Sequence, residues 1–215
     1  MKYNVKASFY IVTDCNDKNT PTWTHILEFS FQNTKKSELK LNYDFLPEKL
    51  KKCQFDNPKS KLEFAKKLKP FLKNLSHENR NIVLEKIKQI FNDIEIPEIM
   101  MSWSDLRTLQ NSGHSIGSHT VSHCMLGTIT DEKEVEAELK KSAETIYNHL
   151  GVYPKTISYP VGSYNDTTIK ISKLTGYKIG LAVKQCIYYP KKDNIYEIPR
   201  IELYNEPWWK TKLII

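Results

Sequence analysis

The feature that most restricts the fold of this chain is the regular succession of strand and helix signals from Ser102 to Leu203. SWSDLRTLQNSG reads as a short helix capped by Ser102 or Ser104 and stopped at Gly113, and HSIGSH as a short strand. TDEKEVEAELKKSAETIYNHLG is a long helix closed by Gly151. It is followed by strand KTISYP, helix NDTTIKISKLTG, strand KIGLAV and strand NIYEIPRIEL. Upstream, the β-branched and aromatic VKASFYIVT, Val5 to Thr13, reads as a buried strand that opens into the polar loop DCNDKNTP. Strands separated by helices call for crossover connections, so the expected fold is α/β, with a parallel sheet or barrel.

One stretch interrupts the alternation. Between about Glu28 and Glu98 the pattern is helical, most clearly from Lys59 to Ile94. SKLEFAKKLKPFLKNL places Leu62, Phe64, Ala65, Leu68, Phe71 and Leu72 at helical spacing, with Pro70 expected to kink or shorten it. SHENRNIVLEKIKQIFNDI repeats the spacing, with Ser76 as its cap and Asn79 in its first turn. This segment, about 28–98, is read as a helical insertion into a single domain spanning 1–215.

Most of the net charge of +7 comes from lysines between Lys35 and Lys88, on faces that read as helical and solvated. No nucleic-acid-binding motif accompanies them, so no nucleic-acid partner is expected. The 4 cysteines, Cys15, Cys53, Cys124 and Cys186, are scattered without a C-x-x-C pair and read as free thiols. No run approaches the roughly 20 apolar residues of a membrane span, and MKYNVKASFYIVTD lacks the apolar core of a signal peptide. The chain is therefore expected to be soluble and cytoplasmic.

The chemistry concentrates in NSGHSIGSHTVSHCMLG, which sets His119 and His123 four apart behind a predicted strand. On one helical turn that spacing turns both imidazoles to the same side, an arrangement able to chelate a divalent ion, while Cys124 points away. Gly117 is expected to permit the exit from strand to loop. In a parallel α/β fold the carboxyl ends of strands face the mouth where active sites form.

ASFYIV, MSWSDLRTLQNSGHSIGSHTVSHCML, ISYPVGSYND and YEIPRIEL, in this order, resemble the polysaccharide deacetylases with a NodB-homology domain. The likeness covers the start of the chain and Ile99 to Leu203 and leaves the helical insertion as a variable part. It implies a distorted, incomplete (β/α) barrel and an ion, most often zinc, held by one aspartate and two histidines. The family's H-(S/T)-x-x-H motif falls on His119, Thr120 and His123, so the resemblance implies these two histidines as metal ligands and Thr120 as a loop-steadying residue. It further implies metal-assisted hydrolysis of acetyl groups on an acetylated glycan or glycan precursor. The groove motif falls on Ser158-Tyr159-Pro160-Val161-Gly162, with the backbone N–H of Val161 at the oxyanion and Tyr159, Pro160 and Gly162 at the sugar.

The family's T-F-D-D-G type motif, source of the catalytic base and the third ligand, stands on the strand before ASFYIV and is not in this chain. The third ligand, an aspartate, is thus absent and the catalytic base unknown, with Asp14 and Asp17 as candidates because both follow the first strand. Serine at 158 replaces the arginine often found there, and Arg200 is the candidate substitute. Beyond Leu203, YNEPWWKTKLII has no histidine to act as acid, and His25, His77, His114 and His149 are assigned no role. A missing first strand leaves an open sheet edge beside ASFYIV, through which self-association is expected. Two alternatives to a deacetylase stand: a catalytically silent carbohydrate-binding or scaffolding relative, and a lysine-rich insertion that docks an acidic partner.

Overall fold

The computed structural model describes residues 5–201. They divide into two compact units, one formed by Lys18–Met100 and the other by the residues on either side of it.

The flanking unit opens with β1, Ser8–Ile11, and α1, Thr13–Asp17. The expected strand Val5 to Thr13 is thus shorter, and the polar DCND that follows forms a helical turn instead of a loop. Thr13, Cys15 and Asn16 are buried, and the amides of Cys15 and Asn16 both donate to the Val12 carbonyl, which closes the turn. Local polarity hid this because the burial is tertiary.

The Lys18–Met100 unit contains α2 (Trp23–Asn33), β2 (Glu38–Lys40), α3 (Glu48–Lys51), β3 (Lys52–Gln54), α4 (Pro58–Asn74) and α5 (His77–Ile90). Its centre is Phe31, fully buried, with the rings of Phe91, Phe64 and Phe55 at 5.0, 5.9 and 6.0 Å. The antiparallel pairing of β2 with β3 is an addition to the helical pattern. Asn57 caps α4 by accepting from the Ser60 amide at 2.9 Å, and Ser76 caps α5 through the Asn79 amide at 3.3 Å. Pro70 does not shorten α4, which runs through it with Leu68 and Leu72 fully buried on either side. Asn19 joins the two ends of the unit, accepting from the Met100 amide at 3.0 Å and donating to Glu98 at 3.2 Å. Within the flanking unit, Asn16 donates to the Met101 carbonyl at 2.5 Å.

The flanking unit continues with α6 (Trp103–Asn111), β4 (Ser115–Ser118), α7 (Glu132–Leu150), β5 (Thr156–Ser158), α8 (Asp166–Thr175), β6 (Ile179–Ala182) and β7 (Ile198–Pro199). The sheet order is β1-β4-β5-β6-β7, and all its neighbouring pairs are parallel. Among the described residues the sheet does not close, which makes it an incomplete (β/α) barrel. Ser102 caps α6 in a reciprocal arrangement with Asp105, and Gly151 ends α7 at φ 76°, a conformation that disfavours any Cβ. Two apolar clusters hold the helices to the strands: Leu139, Ala143, Ile157, Ile171 and Tyr177 form one, and Ile11, Leu106, Ile146 and Leu150 the other. No helix of the described residues is long and apolar enough to cross a membrane.

Two local readings change. NIYEIPRIEL is a 3-10 turn over Ile195–Glu197 followed by only two strand residues, Ile198 and Pro199. Gly117 sits within β4 rather than at its exit. A Cβ there would lie 2.5 Å from both the Thr156 hydroxyl and the Tyr10 ring, so glycine is required for close strand packing. The same argument is stronger at Gly180, where a Cβ would fall on the backbone carbonyl oxygen of Tyr196 and the Tyr159 hydroxyl. We predict that Gly180→Ala destabilises the flanking unit by about 1–3 kcal/mol, as overpacking a tight core does. Urea unfolding of the two proteins checks this.

Candidate functional site

The histidine pair lies on a loop, not on a helical turn. β4 ends at Ser118, and helical geometry returns only as a 3-10 turn at Leu126–Thr128. The rings still approach, with centroids 5.0 Å apart at 69°, because the backbone doubles back through two left-handed residues, Thr120 at φ 69° and His123 at φ 58°. Such non-glycine conformations cost on the order of 1–3 kcal/mol each and persist only where surrounding contacts impose them.

Those contacts come from three sides. The His119 amide donates to the Ile11 carbonyl at 2.8 Å, the Thr13 amide to Thr120 at 3.2 Å and the Asp14 amide to Val121 at 3.0 Å. The Thr120 hydroxyl, fully buried, accepts from the His123 amide at 3.1 Å, the loop-steadying part expected of it. From α7, the Glu138 carboxylate accepts from the amides of Val121 at 2.9 Å and Ser122 at 3.0 Å and from the Ser122 hydroxyl at 2.8 Å. Cys124 turns into the apolar core, where burial, with the Glu138 charge adding to it, pushes its thiol well above the ordinary range. It is held as a neutral core side chain.

His119 has a defined tautomer. Its Nδ1 is 2.5 Å from the Ser158 carbonyl, and a carbonyl only accepts, so Nδ1 carries the proton and Nε2 carries the lone pair. Burial pushes the pKa down to about 4 and the Arg200 charge adds to this, partly opposed by the Ser158 hydrogen bond. The ring is neutral at physiological pH, as a metal ligand must be.

The neighbouring turn is strained in the same way. Pro160–Gly162 forms a 3-10 turn in which Val161 stands at φ 48°, an outlier for a β-branched residue, and Gly162 at φ 70°. Tyr159 and Pro160, expected at the sugar, have their side chains packed inward. Both are buried, Tyr159 completely, and its ring stacks on Tyr164 at 4.8 Å inside the core. The Ser158 hydroxyl is fully buried with no hydrogen-bond partner among the described residues. Arg200 is near enough to act on His119 electrostatically, and its amide donates to Ala182 at 3.0 Å.

Of the two candidate carboxylates, Asp17 is engaged elsewhere. It accepts from the Trp103 indole at 2.7 Å and lies 4.0 Å from His149, which itself stacks on Trp103 at 4.1 Å. Asp14 follows directly on the backbone bonds that join α1 to the histidine loop. Among the described residues no cluster of three His, Cys, Asp or Glu could hold a metal ion. The two imidazoles suit a zinc-type ion by donor chemistry, and they supply two donors where catalytic zinc sites have three protein ligands. Glu138 and the Ser158 carbonyl escaped sequence reading, since neither carries a motif and each acts on a residue distant in the chain.

A family model for polysaccharide deacetylases matches residues 1–180. Among curated proteins, YxkH of Bacillus subtilis (strain 168), a polysaccharide deacetylase by name, is 33% identical over 79 residues, 37% of this chain and 28% of that protein. Chitin deacetylase 1 of Cryptococcus neoformans var. grubii is 41% identical over 71 residues, 33% of this chain and 15% of that protein. The chain thus spans less than a third of the length of either relative. Among solved structures, a Streptococcus pyogenes deacetylase, PplD, in complex with acetate is 26% identical, with a TM-score of 0.46, over 48% of this chain and 45% of that one.

The His119 environment has a consequence for pH. The folded state holds this proton more weakly than the unfolded chain, whose imidazole titrates near its ordinary 6.5, so the unfolded state gains protons first as pH falls. The stability that the neutral ring contributes is complete above about pH 6.5 and is lost toward pH 4. Denaturant unfolding at pH 7 and pH 5 should show a larger acid loss in the natural chain than in His119→Ala. Equal losses would place His119 in an open, water-like environment.

Proposed function

Because the chain belongs to the polysaccharide deacetylase family, we propose that it serves a metal-dependent hydrolase that removes acetyl groups from an acetylated sugar or polysaccharide, with His119 and His123 as two of the metal's protein ligands. The observation that carries this reading is the orientation of His119. Its Nδ1–H is fixed on the Ser158 carbonyl, which leaves Nε2 as the nitrogen for a ligand beside the His123 ring. A backbone or carboxylate partner of this kind is the usual means of orienting a ligating imidazole.

A bound zinc-type ion would polarise the acetyl carbonyl and lower the pKa of a coordinated water. The chain's own part is to hold and to shape. The Val161 N–H, in its left-handed turn, is the proposed donor to the developing oxyanion, with Gly162 of the same turn proposed beside the sugar. Arg200 is the proposed partner that orients a carboxylate at this mouth. Asp14, on the segment bonded to Val121, is a better placed candidate base than Asp17, which Trp103 holds. Among the described residues no third His, Cys, Asp or Glu joins the two imidazoles to complete a metal site. The segment at about 28–98, which lies within the Lys18–Met100 unit, is proposed as an insertion into this deacetylase-type domain.

The test measures zinc content and acetate release together, on N-acetylated and O-acetylated oligosaccharides, for the chain and for His119→Ala and His123→Ala. Each variant should keep its circular dichroism spectrum and lose metal affinity by about tenfold or more. Retention of metal by both variants would overturn the ligand assignment. Glycan binding without acetate release, at full zinc occupancy, would favour the silent carbohydrate-binding relative.

A further inference from the structure

We infer that Glu138 is the positioning residue of the histidine site: from α7 its carboxylate fixes the turn between His119 and His123 and thereby sets the spacing of the two imidazoles. The consequence for metal binding rests on the proposed role of those imidazoles, whereas the consequence for the loop does not.

Three features converge on this residue. One carboxylate oxygen, Oε2, accepts from two consecutive amides, Val121 at 2.9 Å and Ser122 at 3.0 Å, while Oε1 takes the Ser122 hydroxyl at 2.8 Å. These two residues are the span between the left-handed Thr120 and His123, so the carboxylate grips the turn at its apex. Charge-assisted bonds from a carboxylate to backbone amides are about twice as strong as neutral ones, which suits a backbone that is costly to hold.

The support behind the carboxylate is stiff. Its neighbours on α7, Val135, Leu139 and Ser142, are buried at 1% exposure or less. One helical turn after Glu138, the Ser142 hydroxyl bonds the Ser118 hydroxyl at 2.7 Å, and Ser118 in turn accepts from the Thr120 amide at 3.3 Å. Residues four apart on one helix thus hold both the end of β4 and the loop that follows it. Movement of that helix face would shift His119 and His123 relative to each other, because one histidine continues the strand and the other closes the turn.

The test compares the full chain with E138A and E138Q, using Co2+ alone as the metal probe. In E138A the amides of Val121 and Ser122 should exchange with deuterium about tenfold faster or more, with β6 amides unchanged. Co2+ affinity should fall roughly 10–100-fold, as loss of an outer-shell partner does, with an altered visible spectrum. E138Q keeps a side-chain oxygen for the two amides and should recover most of both readouts. Natural exchange rates and natural Co2+ affinity in E138A would overturn the inference. If E138A does not fold, E138D, with its carboxylate one methylene further back, takes its place: faster exchange at both amides supports the role and unchanged exchange overturns it. A natural chain that takes up no Co2+ would reject the metal assignment alone, and the two amides would still decide whether Glu138 positions the loop.

Discussion

The parallel pairing of β1 with β4 is the constraint on which the rest of the site depends. Ser8 to Ile11 lie opposite Ser115 to Ser118 in register, and the backbone bonding continues after both strands have ended. It runs on through His119 to Ile11, Thr13 to Thr120 and Asp14 to Val121. A one-residue slip in that register would turn every side chain of β4 to the other face and carry the histidine loop with it. The short helix α1 and the loop at 119–123 are best understood as two ends of one ladder.

Three backbone strains share this end of the sheet unit: Thr120, His123 and Val161 all have positive φ without being glycine. Each sits beside a strand end and each is met by specific partners, a hydroxyl at Thr120, the carboxylate of Glu138 across the histidine turn, and Pro160 before Val161. Strain of this kind persists where packed elements over-determine the chain, and the flanking apolar clusters of α7 supply that packing. The neutral state of His119 follows from the same enclosure, since burial that rigidifies the loop also penalises its protonation.

Much of the sheet was legible because its signals are local. Gly151 after a long amphipathic run, Ser102 before another and the alternation of strands with helices each report on a few neighbouring residues, and the structure places those elements accordingly. The histidine pair was legible as a spacing but not as a conformation: a helix and a loop with two left-handed residues both bring positions 119 and 123 together. The inward packing of Tyr159 was not legible because an aromatic residue beside a turn can face a groove or the core, and tertiary contacts with Gly180 and Tyr164 set its place. Glu138 and Ser158 gave no signal at all, since each acts across more than ten residues of chain, through an ordinary side chain or a bare carbonyl.

The paired clamps at Asn16 and Asn19 bear on how a chain like this tolerates change. Asn16 holds Met101 within the sheet unit, and Asn19 holds Met100 within the aromatic unit, so the excursion from Lys18 to Met100 departs and returns at one place. With the ends joined, the closure cost of a flexible stretch between them would grow only logarithmically, roughly 0.6 kcal/mol per doubling of length, while the packing around Phe31 restricts change inside the unit. The aromatic unit behaves in this respect as a cassette. Its surface, lysines included, belongs to a unit that contributes neither strand of the β1–β4 pairing behind the two histidines.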